Sequence, residues 1–111
     1  MRRLSAVLLS AAFLAACSGE QAQPTAQGAE PASVSIVDLA YAPATLTVGL
    51  AQPINWVNDG AAPHTVTFED GPDSGTLESG ATFQHAFETP GTYDYTCSIH
   101  PAMMGVVNVG P

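Results

Sequence analysis

The sequence predicts an all-β domain, a sandwich of seven or eight short strands. Three observations point to it. Apolar and polar residues alternate with a period of two in run after run from Ser33 onward. Clusters of Gly, Pro, Asn and Asp punctuate those runs at short intervals. No helical periodicity survives beyond the N-terminal apolar run, and short strands repeated at this spacing suggest two packed sheets.

The N-terminus stands apart. Arg2 and Arg3 precede an apolar run from Leu4 to Phe13, and Leu14-Ala15-Ala16-Cys17 ends it on small residues and a cysteine. The run is too short to cross a bilayer, so residues 1–16 read as an export signal. The arginine pair lacks the rest of a twin-arginine motif, which leaves the export route open. The cysteine at the cleavage point makes the segment resemble a bacterial lipoprotein signal. That resemblance implies that Cys17 becomes the lipidated first residue of the mature chain. Residues 17–32 follow as a tether. From Ser18 to Ala32 there is no large hydrophobe and no periodicity. Such a stretch buries too little surface to offset its ordering entropy, and it is expected to be disordered with a reach of about 20–25 Å.

The folded domain is expected over residues 33–111. Val34 and Ile36, continued by Leu39, alternate with Ser33, Ser35 and Asp38 up to a turn at Pro43. Leu46 and Val48 alternate with Thr45 and Thr47. Ile54, Trp56 and Asn58 form the next inward face, closed by Asn58-Asp59-Gly60. Val66 and Phe68 run to Asp70-Gly71-Pro72. After Ser79-Gly80, Phe83, His85 and Phe87 share a face. Pro90-Gly91 then leads to Tyr93, Tyr95 and Cys97, and Val107 and Val109 close the chain.

Charge narrows the function classes. The chain has two basic and ten acidic residues, for a net −8. Both arginines lie within residues 1–16, so the mature chain carries ten carboxylates and no Lys or Arg. It cannot neutralise phosphates, which excludes nucleic acid as a partner. Anionic headgroups would repel it, so membrane attachment has to come from a lipid on Cys17 alone. Its field would steer it toward partners with basic docking surfaces.

Two segments carry chemistry. Pro63-His64-Thr65-Val66-Thr67-Phe68 holds one histidine, and Tyr95-Thr96-Cys97-Ser98-Ile99-His100-Pro101-Ala102-Met103-Met104-Gly105 holds a cysteine, a second histidine and two methionines. Two imidazoles, a thiolate and a thioether at these spacings form the donor set of a trigonal His₂Cys copper site with a weak, long axial methionine. Cys97 is thereby claimed by the site and Cys17 by the cleavage pattern, so no disulfide is expected between them. A catalytic Cys97 would need an orienting acid and an oxyanion motif, which are absent, and would leave the methionine unexplained.

With these motifs the chain resembles the cupredoxin family, in its plastocyanin, pseudoazurin and amicyanin branch, over residues 34–109. The short run from Cys97 to Met103 is especially similar to the amicyanin ligand loop. The resemblance implies a Greek-key β-sandwich and one type 1 copper ion held by His64, Cys97, His100 and Met103. Met103 rather than Met104 is implied because Gly105 falls two residues after it, as in that loop. His85 is left as an interior or edge histidine. The family often has asparagine where this chain has Thr65, which puts the tie between the two ligand segments in question. An apolar docking patch is expected around His100 from Ile99, Pro101 and Ala102, with Ala61, Ala62 and Pro63.

The expected function is a membrane-tethered, monomeric, non-enzymatic carrier of single electrons between redox partner proteins. A copper-binding or delivery protein of the cell envelope is the alternative. The expected place is the periplasmic side of a bacterial envelope, lipid-anchored. The outer membrane is favoured in a host with two membranes, because Ser18 replaces the aspartate associated with inner-membrane retention.

Overall fold

The alternation resolves into eight strands and, among the described residues, no helix. The structure is a computed structural model that describes residues 30–111. The expected export signal, lipidated Cys17 and nearly all of the tether lie outside those residues. The strands are β1 (Ala32–Val37), β2 (Ala40–Ala42), β3 (Thr45–Val48), β4 (Ile54–Asn58), β5 (Thr67–Phe68), β6 (Thr82–His85), β7 (Gly91–Thr96) and β8 (Met104–Val109). They form two four-stranded sheets, ordered β2-β1-β4-β6 and β3-β8-β7-β5. Each sheet has one parallel pair, β1 with β4 and β3 with β8, and the other neighbours are antiparallel.

The inward residues of both sheets meet on Trp56. Val34, Ile36, Ile54 and Trp56 come from one sheet, and Phe68, Tyr95, Val107 and Val109 from the other; all are buried. The Trp56 ring meets Phe68 and Tyr95 edge-on, at centroid distances of 5.9 and 5.7 Å. A buried indole N–H is costly without an acceptor. Trp56 Nε1 donates to Tyr95 Oη at 3.1 Å. Tyr41 lies edge-on to Tyr95, and its hydroxyl donates to the Thr65 carbonyl at 2.6 Å.

Three segments differ from the sequence pattern, each for a local reason. Leu39, expected to extend the inward face of β1, is out of phase with Val34 and Ile36 and is 66% exposed. Val37 pairs with Ala40, so Asp38 and Leu39 are the two residues of a tight hairpin turn, with Leu39 at φ 73°. The run around Val66 yields only a two-residue strand. Its backbone turns to its own following loop: the Val66 amide donates to Ser74 Oγ and the Phe68 amide to the Pro72 carbonyl. The first strand begins at Ala32, one residue before the expected boundary, and the Gln52 side chain reaches back to the Glu30 carbonyl at 3.0 Å.

Gly105 sits opposite Tyr95 in the β7–β8 ladder, and a Cβ there would enter the Tyr95 ring. Gly105→Ala should therefore lower the stability of the metal-free protein by about 1–3 kcal/mol in urea unfolding, the usual range for overpacking. Gly110→Ala is the comparison: its Cβ would meet only the Val48 carbonyl at an ordinary 3.8 Å. That variant should stay within about 0.5 kcal/mol of the parent.

Candidate metal centre

The β7–β8 hairpin is closed by residues 97–103, and backbone bonds shape that loop. Met103 N donates to the His100 carbonyl at 2.9 Å, closing a turn over Pro101 and Ala102. Proline at the second turn position pre-sets its φ. Cys97 N donates to the Met103 carbonyl at 3.3 Å, so Cys97, His100 and Met103 are held within one small ring of backbone. His64 arrives from elsewhere. It lies just before β5 and bridges Leu77, with His64 N to Leu77 O at 3.1 Å and the reverse bond at 2.7 Å. Asn58 fixes the approach. This buried amide donates to the Ala62 and Leu77 carbonyls and accepts the Gly60 amide, which uses its donors and acceptor fully.

The donor atoms converge. Cys97 Sγ lies 3.8 Å from His64 Nδ1 and 3.8 Å from His100 Nδ1. All three ligand atoms are within 4.8 Å of one another. The two imidazole rings are tilted, with centroids 4.9 Å apart. His64 and Cys97 are buried, while His100 is half-buried and faces the surface. A soft sulfur and two imidazole nitrogens aimed at one point fit a copper ion of the blue type. Met103 is 2% exposed beneath the loop, whereas Met104, the first residue of β8, is 66% exposed. His85 lies on β6, edge-on to Phe87 at 4.6 Å, and is not part of the cluster.

Electrostatics prepare the sulfur. Burial pushes the Cys97 thiol up, but the Thr65 amide, His64 and His100 outweigh it and hold the group at about 6. The Thr65 amide makes its contact with Sγ at 3.3 Å. Burial pulls His64 down, and its bonds to Asp38 and Cys97 more than offset this, so its net shift is upward. The Asp38 carboxyl is held below its usual value, chiefly by its hydrogen bond to His64 and then by the Ala62 and Ala61 amides.

The tie between the two ligand segments survives the threonine. Thr65 Oγ1 accepts the Ser98 amide at 2.8 Å and exchanges hydroxyl bonds with Thr67 Oγ1 at 2.8 Å and Ser98 Oγ at 3.3 Å. Ser98, Thr67, Asn58 and Asp38 are the supporting residues that sequence reasoning missed. Only Asn58 carried a signal, as a polar residue on the inward face of a strand.

A model of the cupredoxin-like domain matches residues 6–109 of the chain. Amicyanin-alpha of Methylorubrum extorquens is 33% identical over 98% of this chain and 99% of its own length. The plastocyanin of Scenedesmus fuscus is 27% identical over 64% of this chain and 87% of its own. Among solved structures, a purple cupredoxin from Nitrosopumilus maritimus aligns with TM-score 0.69 and 30% identity, covering 71% of this chain and 99% of that one. A variant of amicyanin in its Cu(I) form aligns with TM-score 0.70 and 31% identity, covering 74% of this chain and 84% of that one.

Thr65→Val should cost about 1–3 kcal/mol in the unfolding of the metal-free protein, because the Ser98 amide loses its acceptor in a partly buried place. Thr65→Ser should recover most of the loss. Amide exchange at Ser98 should quicken in the valine variant alone, which checks that the tie, rather than general packing, has been cut.

Proposed function

The chain belongs to the cupredoxin-like domain family, and on that premise we propose that it is a membrane-tethered blue copper protein that carries single electrons between redox partners. The proteins it is similar to include an amicyanin and a plastocyanin, and an aligned amicyanin variant is a Cu(I) form. The observation that carries the proposal is the convergence of Cys97 Sγ with Nδ1 of His64 and of His100. We assign these three residues and Met103 as the ligands. Copper, when bound, supplies the Cu(I)/Cu(II) one-electron couple.

The chain's own residues supply the rest. The Thr65 amide stabilises negative charge on the Cys97 sulfur. Burial of His64, Cys97 and Met103 keeps water from the donor atoms. The backbone bonds across the loop and the Thr65 tie fix the donors in advance, so little has to rearrange between oxidation states. His100 is where the site meets the surface. Leu39, Ile99, Pro101 and Ala102 surround it as a shallow apolar surface. Leu39 and Ile99 are 66% and 43% exposed there. Such a patch suits brief docking of a partner protein. Leu39 joins it because of the β1–β2 turn. Carboxylates make up all the fixed charge of the described residues, which favours a partner with a basic surface.

Electron carriage is favoured over copper delivery by the disposition of sulfur. Among the described residues the only exposed methionine is Met104, and a delivery protein needs several accessible soft donors at its entrance. Monomeric, non-enzymatic action on the periplasmic side of a bacterial envelope completes the proposal. Lipid on Cys17 and the following tether would hold the domain at the membrane, the outer one in a host with two. No helix among the described residues is long and apolar enough to cross a membrane.

The copper-loaded protein should show an intense visible band that Cys97→Ser abolishes, because a hydroxyl is a hard, poor substitute for the thiolate. A band that persists in the serine variant would refute the ligand set. Met103→Gln should shift spectrum and potential with copper retained, while Met104→Gln should leave both unchanged; the reverse would move the axial ligand to Met104.

Electron-transfer rates with a basic partner should fall steeply as salt rises, since the Debye length shrinks from about 30 Å at 0.01 M to about 8 Å at physiological ionic strength. Stopped-flow rates that stay flat across the salt series would leave docking to the apolar patch alone. Mass spectrometry of the mature N-terminus checks the anchor: diacylglycerol on Cys17 is expected, and an unmodified cysteine would mean an untethered carrier.

A further inference from the structure

The contact between Asp38 and His64 joins a hairpin turn to the metal centre across 26 residues of sequence. Asp38 Oδ1 lies 3.1 Å from His64 Nε2, the ring nitrogen turned away from the cysteine. The same carboxylate is held by the chain on both oxygens. Oδ1 also accepts the Ala62 amide at 3.1 Å, and Oδ2 accepts the Ala61 amide at 3.2 Å. Space for it is reserved at Gly60, where any Cβ would collide with the carboxylate. The turn that delivers it requires Leu39 at φ 73°, a region that leucine seldom occupies. A strained turn, an obligate glycine and two donated amides thus converge on placing one carboxylate behind one imidazole.

We propose that Asp38 is a positioning residue that sets the tautomer, orientation and donor strength of His64, and thereby lowers the reduction potential of the centre. The proposal rests on the assignment of His64 as a ligand. An ionised carboxylate only accepts hydrogen bonds, so Nε2 must carry a proton, and in the neutral ring that a metal ligand requires this leaves the lone pair on Nδ1, the nitrogen facing Cys97 Sγ. A carboxylate behind a ligand imidazole raises the ligand's basicity. Stronger donation and a nearby negative charge both favour the ion of higher charge, hence the oxidised state. No Lys or Arg among the described residues competes for Asp38. Among the described residues no carboxylate lies within ion-pair reach of His100, so the two imidazoles differ: one is anchored and electronically reinforced, the other faces the surface.

Copper-loaded wild-type, Asp38→Asn and Asp59→Asn proteins test this. Asparagine keeps an oxygen acceptor for Nε2–H but removes the charge. Asp59 is a neighbouring carboxylate that bonds Ser35 Oγ and not His64. Asp38→Asn should keep the visible band while its Cu(II) affinity falls about tenfold relative to Cu(I), a rise of about 59 mV in potential for a one-electron couple. Asp59→Asn should move the potential far less. Equal shifts in the two variants, or none in Asp38→Asn, would overturn the proposal. ¹⁵N spectra of the wild-type Cu(I) form need no variant: a protonated Nε2 on His64 is expected, and a proton on Nδ1 instead would refute the proposal even if Asp38→Asn did not fold. A wild-type protein without the visible band, or one whose band survives Cys97→Ser, would instead refute the copper assignment, so the two failures are distinct.

Discussion

The Thr65 hydroxyl and amide together make the centre a single object. The hydroxyl accepts the Ser98 amide and the amide donates to the Cys97 sulfur. The β5–β7 pairing sets the two ligand segments side by side, and the cross-tie then locks the stretch before β5 to the loop between β7 and β8. A tie of two hydrogen bonds, next to the Tyr41 hydroxyl on the Thr65 carbonyl, fixes residue 65 from three sides. Threonine therefore performs the joining role with a hydroxyl. The geometry is also directional: the same residue that positions the loop partly neutralises the charge the loop carries.

Beneath the tie lies an aromatic layer that a domain of this size needs. Small cores are marginal, and no disulfide stiffens the described residues. Trp56, Tyr95, Phe68 and Tyr41 supply large buried area with defined edge-on geometry. The Tyr95 hydroxyl accepts the Trp56 N–H, so the buried indole is not left without an acceptor. Gly105 completes it by leaving room for the Tyr95 ring. Because β8 begins immediately after Met103, a well-packed Tyr95 also fixes the end of the ligand loop. Binding a metal only to this folded arrangement would add stability by linkage.

The surface divides by chemistry. The rim around His100 is apolar, and the fixed charge on the other described residues is wholly acidic. One carboxylate reaches the centre while staying half exposed: Asp38 bonds the buried imidazole, and its neighbour Leu39 lies in the rim. A single two-residue turn thus serves the inside of the centre and its outer face. In the sequence these neighbours read only as the tail of a strand.

What the sequence determined by itself was whatever depends on local order. Period-two alternation specified the sheets because a strand's faces are set by its own pleat. The spacing from Cys97 to Met103 brought three candidate donors into one loop because so short a loop cannot separate them. The tertiary structure decided everything that joins distant segments. The seating of His64 against Cys97, the replacement of a carboxamide by the Thr65–Ser98 tie, the burial of Met103 against the exposure of Met104, and the placement of Asp38 all depend on how two sheets pack. Leu39 shows the limit most plainly. It is apolar and follows β1, but it lies an odd number of residues after Ile36 and so out of phase with the inward face, and the β1–β2 register makes it one of two turn residues.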